Sequence, residues 1–194
     1  KSFARTKGHY GPPDGRIMSR FLDHNSTVNA GIYFAAPEDV TSILTVIRRA
    51  MTEYARNSGI SDPQQLEALS ETGESILEHI NKGEFLVARR NWQIVGTALL
   101  DRSESPDLCY LRRFAVLPEC MGSGIGKLLF RCAVQFLHSE SCREIRLYTA
   151  YSNHPLIAFY KRLGFHLLEV DESGSYPKAL LSYSIDAARA PSQN

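Results

Sequence analysis

"RRFAVLPECMGSGIGKLLFRCAVQFL", Arg112 to Leu137, changes character twice. A β-rich apolar run stops at Pro118, and a turn with glycines at alternate positions, Gly122, Gly124 and Gly126, follows. From there Leu128, Leu129, Cys132, Ala133, Phe136 and Leu137 recur at three-and-four spacing, the stripe of an amphipathic helix. Two familiar glycine motifs fail here. A P-loop ending at Gly126-Lys127 needs glycine where Met121 stands and a hydroxyl where Leu128 stands. A dinucleotide fingerprint begun at Gly122 or at Gly124 needs its third glycine at Lys127 or at Leu129. What survives is the physics they share. A glycine-rich turn opening a helix aims several unpaired N–H groups at one spot, with the positive helix end behind them, and so suits an anion such as a phosphate. A turn of this composition also opens helices that hold no ligand.

The strand just before the turn, "CYLRRFAV", breaks its own alternation, because Leu111 and Phe114 are an odd number apart. A bulge near Arg112 to Phe114 restores the core face and frees backbone groups for an extended ligand. A strand buried on both faces would also explain the pattern.

Working outward, "GIYFAA" (Gly31 to Ala36) reads as a strand, and Pro37-Glu38-Asp39 starts a helix whose face is Val40, Ile43, Leu44, Ile47, Met51 and Tyr54. Residues 60–83 read as shorter helical pieces. "EFLVARR", "QIVGTALLD" and "CYLRRFAV" are three strands of a meander, the last two separated by a loop at Arg102–Asp107. After the glycine helix come the strand "EIRLYTA", the helix "HPLIAFYKRLG" capped by Gly164, and the strands "FHLLEV" and "KALLSYSI". The fold class is α/β (α+β): a mixed, mainly antiparallel sheet of six to seven strands with helices on both faces.

With 194 residues, 43% of them hydrophobic, the chain suffices for one domain, expected over residues 31–185. Residues 1–30 read as a basic tail, part of it of cloning origin, and 186–194 as a second tail. The net charge of +1 offers no basis for nucleic-acid or membrane binding. Cys109, Cys120, Cys132 and Cys142 form no Cys-x-x-Cys pair, so no metal site is expected. No long apolar segment is present, and the expectation is a cytoplasmic protein with reduced thiols.

The stretches "RRFAVLPE", "MGSGIG", "KLLFRCAVQFL", "EIRLYTA" and "NHPLIAFYKRLGF", in that order, resemble the GNAT superfamily of acyl-CoA-dependent N-acyltransferases. That family's loop is Arg or Gln, two residues, Gly, any residue, then Gly or Ala; Gly124 and Gly126 match, and Met121 departs from it. Its second signature is matched by Asn153 and by Tyr160 to Phe165. The resemblance spans about residues 31–185 and is specific over about 108–166. It implies acetyl-CoA as co-substrate. The pyrophosphate would lie on the N–H groups of Met121, Gly122, Ser123, Gly124, Ile125, Gly126 and Lys127. The pantetheine arm would pair with Phe114, Ala115 and Val116, where a backbone N–H also polarises the thioester carbonyl, and Asn153 would hold that arm or an ordered water.

The implied reaction is acetyl transfer to a primary amine of a small molecule, or to a peptide or protein amine, by direct attack. Tyr160 is the expected general acid, since a phenol of pKa ~10 is protonated at neutral pH. No base stands out. Tyr110 occupies the strand position where some members of the family carry Glu. Asp101, Glu104, Asp107 and Glu119 read as solvated loop carboxylates, and His154 and His166 as structural. Asp171, Glu172 and Tyr176, on a loop over the pocket, favour a cationic acceptor. The expected partners are acetyl-CoA and an amine, with a homodimer compatible. The alternative is a non-catalytic acyl-CoA-binding or regulatory module of the same fold.

Overall fold

Residues 30–186 are described by the computed structural model of the chain, and the two expected tails lie outside them but for Ala30 and Asp186. The strands are β1 (Gly31–Phe34), β2 (Phe85–Arg90), β3 (Gln93–Ser105), β4 (Leu108–Val116), β5 (Glu144–Ala150), β6 (His166–Asp171) and β7 (Lys178–Ser184). The helices are α1 (Val40–Ser58), α2 (Gly73–Asn81), α3 (Ile125–Ser139) and α4 (His154–Leu163). Short 3-10 turns at Pro63–Gln65 and Glu67–Leu69 lie between α1 and α2, and another at Pro118–Cys120 precedes the glycine turn.

All seven strands form one sheet in the order β1-β2-β3-β4-β5-β7-β6. Only β4 and β5 are parallel; every other pair is antiparallel, so the mixed, mainly antiparallel sheet is as expected. Both faces are covered. Leu86 and Ala98 join Ile125, Leu129 and Leu137 of α3 and Ile157 of α4, while Phe85, Val87 and Leu99 meet Ile43, Ile47 and Ile76 of α1 and α2. Double coverage explains why Phe85 to Ala88 are all buried instead of alternating with polar residues.

One boundary differs from the sequence reading. The expected loop Arg102–Asp107 is mostly strand: β3 continues to Ser105, which pairs with Leu108, and only Pro106 and Asp107 form the turn. Ser103 and Glu104 are exposed and Arg102 and Ser105 half-buried, so the polar end of β3 carries no hydrophobic alternation to mark it as strand.

The feature that positions the site lies at the sheet's centre. β4 and β5 pair only from Leu108–Glu144 to Tyr110–Arg146, and beyond those residues the two strands part. The parting has a local cause in β4. Thr97 pairs with Ala115 but Leu99 with Arg112, so Ala98 faces both Arg113 and Phe114 across a bulge. Arg113 sits at φ +48, left-handed for a residue with a side chain. The extra residue bends β4 away from β5, as the broken alternation of Leu111 and Phe114 implied.

Candidate active site

The parted strands enclose a cavity of about 380 Å³, lined by Leu111 to Phe114 on one wall and Leu147 to Thr149 on the other. Leu156 and Tyr160 of α4 close one side, and Tyr54, Glu67, Tyr176 and Asp171 surround the mouth opposite. The sequence pointed to Tyr160, Phe114, Asp171 and Tyr176, and the fold brings all four to this one space. Glu172 is not among the lining residues, and neither are His154, His166, Asp101, Glu104, Asp107 and Glu119.

Tyr160 is only 6% exposed, and its ring packs on Phe114, Phe159 and Phe165 with centroids 6.3, 5.5 and 5.6 Å away. Burial pushes its phenol well above the ordinary value, with the nearby Tyr54 phenol adding to the shift, so the group is neutral across the physiological range. Tyr176 at the mouth is pushed up to about 12, again chiefly by burial.

The glycine turn adjoins the cavity wall through Gly126, where an added Cβ would lie 3.9 Å from the Phe114 ring. Gly122 and Gly124 have φ +75 and +84, which glycine adopts without a steric penalty. Gly124 is the N-cap of α3 and supplies no side-chain cap, and the first amide to reach a backbone acceptor is that of Leu128, on Gly124 O. The amides of Gly122, Gly124, Ile125, Gly126 and Lys127 have no backbone acceptor among the described residues. Two of the seven expected donors are used inside the turn, where Met121 N–H reaches Pro118 O and Ser123 N–H reaches Cys120 O. Ile125 gives only its backbone, since its side chain is core, and Met121 is half exposed. A Cβ built on Gly122 meets nothing within 4 Å, so the space above it is open for an anion. Lys127 also borders a separate groove with Arg131 and Arg162.

Asn153 is 4% exposed, and both ends of its amide are engaged. Its Oδ1 accepts from Leu156 N–H at 3.3 Å as the N-cap of α4, and its Nδ2 donates to Ser58 Oγ at 3.0 Å. It therefore fixes α4, and with it Tyr160, to the end of α1. Phe114 and Val116 pack into the core on the α3 side, whereas Ala115 points to the α1 side.

Several residues of this site were not visible in the sequence. The Tyr54 hydroxyl accepts from Ala150 N–H at 2.6 Å, so a helix side chain satisfies the β5 amide that no strand reaches. Thr149 is 3% exposed, and its Oγ1 has no hydrogen-bond partner among the described residues. The Arg113 side chain reaches Glu71 and Glu67, from the segment joining α1 to α2. Tyr54 read as an apolar position of α1, and the segment of roughly 54 to 75 as lining for the acceptor pocket, but no local spacing links Glu71 to Arg113 or Tyr54 to Ala150. The four cysteines are free and buried, and no cluster of metal-binding side chains occurs among the described residues.

Known proteins share this fold. An uncharacterized N-acetyltransferase, YesJ of Bacillus subtilis, is 27% identical over 171 residues, 81% of this chain and 94% of that protein. The PaiA N-acetyltransferase of Thermoplasma acidophilum, solved with coenzyme A, superposes with a TM-score of 0.71 at 22% identity over 80% of this chain and 98% of that one. The ribosomal-protein-S18-alanine N-acetyltransferase of Escherichia coli gives 0.62 at 18% identity, over 80% of this chain and 94% of that one. The profile of the Acetyltransferase (GNAT) family matches residues 47–165, from the middle of α1 through the glycine turn to the close of α4. With the parted strands, the open amides and Tyr160 all inside that match, the chain belongs to the GNAT acetyltransferase family.

Proposed function

We propose that the protein transfers an acetyl group from acetyl-CoA to a primary amine of a small molecule, with a peptide or protein amine as the main variant. The observation that carries this reading is the cavity between β4 and β5, with Tyr160 in its wall and the open α3 amides beside it. The residues fit the co-substrate: the amides of Gly122 and Gly124 to Lys127 would take the pyrophosphate, and the β4 backbone at Phe114 to Val116 the pantetheine arm. Acetyl-CoA supplies the acetyl group as a thioester whose sulfur departs as a thiolate.

The backbone N–H beside the bulge polarises the carbonyl as the amine nitrogen bonds to its carbon; when the C–S bond breaks, Tyr160 Oη gives its proton to the sulfur, and the phenolate regains the proton that the nitrogen loses. Its raised pKa does not spoil the match, because the same dry surroundings raise that of a thiol. The half-buried Phe114 and Phe159 rings help keep water from the reacting atoms, and Asn153 holds α4 in place. None of Asp101, Glu104, Asp107, Glu119, His154 and His166 lines the cavity, and in this reading the amine enters neutral without a base among them. A cytoplasmic location suits the four buried thiols, and a homodimer is compatible with the exposed Leu167 and Leu168 of edge strand β6.

The test is release of free thiol from acetyl-CoA with a library of amines. Amine-dependent release and an acetylated product support the reading. Tight CoA binding with no turnover of any amine favours the non-catalytic module instead.

The expected preference for a cationic acceptor weakens on this geometry. Glu67 and Asp171 line the cavity, but so do Arg112, Arg113 and Lys178. Asp171 also turns its carboxylate into its own loop, accepting from Ser173 N–H and Oγ–H at 2.9 and 2.6 Å. A half-buried charge so placed, with three cations around it, has a weak and salt-sensitive pull on an incoming amine. Asp171→Asn is expected to change the KM for a cationic amine by less than about threefold; a tenfold rise would restore the charge preference.

A further inference from the structure

We propose that Arg113 is a positioning residue for acetyl transfer: by clamping the β4 bulge in its left-handed conformation it aims the adjoining backbone at the thioester. The proposal rests on the acetyltransferase reading above and names the device that shapes its central strand.

Three observations meet at this residue. Its backbone is strained, at φ +48, and such conformations persist only where the surroundings over-determine them. Its side chain is 11% exposed and held at two points: Nε lies 2.5 Å from Glu71 Oε1, and a terminal nitrogen lies 3.0 Å from Glu67 Oε1. Its carbonyl is held too, accepting from Thr97 Oγ1 at 2.7 Å, and Thr97 is fully buried. The bulged residue is thus gripped from the acceptor side by two carboxylates and from β3 by a hydroxyl.

The carboxylates are themselves fixed. Glu71, with a side chain 9% exposed, also receives the Ser75 hydroxyl, and Glu67 is shared with Arg112. The Glu67 side chain is 69% exposed; partial desolvation works to raise its carboxyl, but its hydrogen bond to Arg113 and the charges of Arg113 and Arg112 hold it below the usual range. A largely buried ion pair is a poor source of stability, because desolvation offsets the attraction. What this one provides is geometry: a planar fork and two acceptors define where the bulge sits. If the grip fails, Arg113 relaxes toward an ordinary strand conformation, the extra residue shifts, and the N–H group of Phe114 leaves the line of the cofactor arm, because that of Ala115 faces β3.

The separation of positioning from mere stability comes from comparing two truncations. Arg113→Ala loses the grip and keeps the backbone penalty; Arg113→Gly loses the same grip but adopts φ +48 freely. CoA affinity is measured by calorimetry, kcat and KM on an amine found in the library, and Tm on the same full-length samples. We expect Arg113→Ala to lower kcat about tenfold or more and Arg113→Gly to recover most of that loss, although both lower Tm. Arg113→Lys, which keeps the charge but not the fork, is expected to lose kcat with little change in Tm, and serves if the alanine variant does not fold. Equal kcat and CoA affinity in the alanine and glycine variants, or wild-type kcat in Arg113→Lys, overturns the proposal while the acetyltransferase reading stands. Wild-type protein that binds no CoA overturns both. If CoA binds but no amine turns over, the comparison of CoA affinities between the two truncations decides, with equality again overturning the proposal.

Discussion

Tyr160→Phe is expected to lower turnover about 100- to 10,000-fold, the usual contribution of a general acid, while CoA affinity changes little. The ring is what packs. Its contacts with Phe114, Phe159 and Phe165 are made by carbon atoms, and phenylalanine keeps them. The hydroxyl is what the reaction needs, so the defect appears in kcat and leaves binding intact. The pH dependence follows from the direction of the shift: burial raises the phenol pKa, so the wild-type rate has no falling limb from Tyr160 below about pH 10. Steady-state kinetics beside calorimetry checks both parts. Turnover within a few-fold of wild type in Tyr160→Phe would remove the phenol from the mechanism.

Gly124→Val is expected to weaken CoA binding about 5- to 150-fold, the range set by ~1–3 kcal/mol of strain at such a position. Gly124 caps α3 at φ +84, and a β-branched residue there is a steric outlier. To relieve the strain the turn must rotate, and the amides of Gly122 and of Gly124 to Lys127 then cease to converge. Gly126→Ala is the milder companion. Its added carbon would lie 3.4 Å from Phe159 and 3.8 Å from Val116, ordinary contacts, so any loss of CoA affinity there reports on space the ligand itself needs. Calorimetry well below the melting temperature of each variant separates binding from stability. Unchanged CoA affinity in folded Gly124→Val would detach the glycine turn from the cofactor.

Much of the site was legible because it is written in short-range signals. The alternate glycines, the helix stripe after them and the capped helix ending at Gly164 lie within about fifty residues, and each follows a local rule of turn or helix chemistry. Even the bulge showed in one dimension, since an extra residue in a strand must shift the side-chain alternation. Less was legible where strands carry no hydrophobic pattern, as in the hairpin arms at Arg102 to Ser105. Asn153 was legible as part of a signature, but its bonds to Leu156 and Ser58 were not.

The sequence by itself determined the fold class, the two-faced core and the glycine turn, because periodicity and backbone freedom act between residues close in the chain. Only the tertiary structure decided which groups meet across the cavity. Tyr54 and Ala150 are 96 residues apart, and Arg113 and Glu67 are 46 apart. Glu71 against Arg113, Tyr54 against the last amide of β5, and Arg112 against Glu67 each arise from elements that approach only after the sheet has formed. Such contacts depend on the position and direction of whole elements, set by packing over both faces of the sheet. No spacing within the chain encodes them.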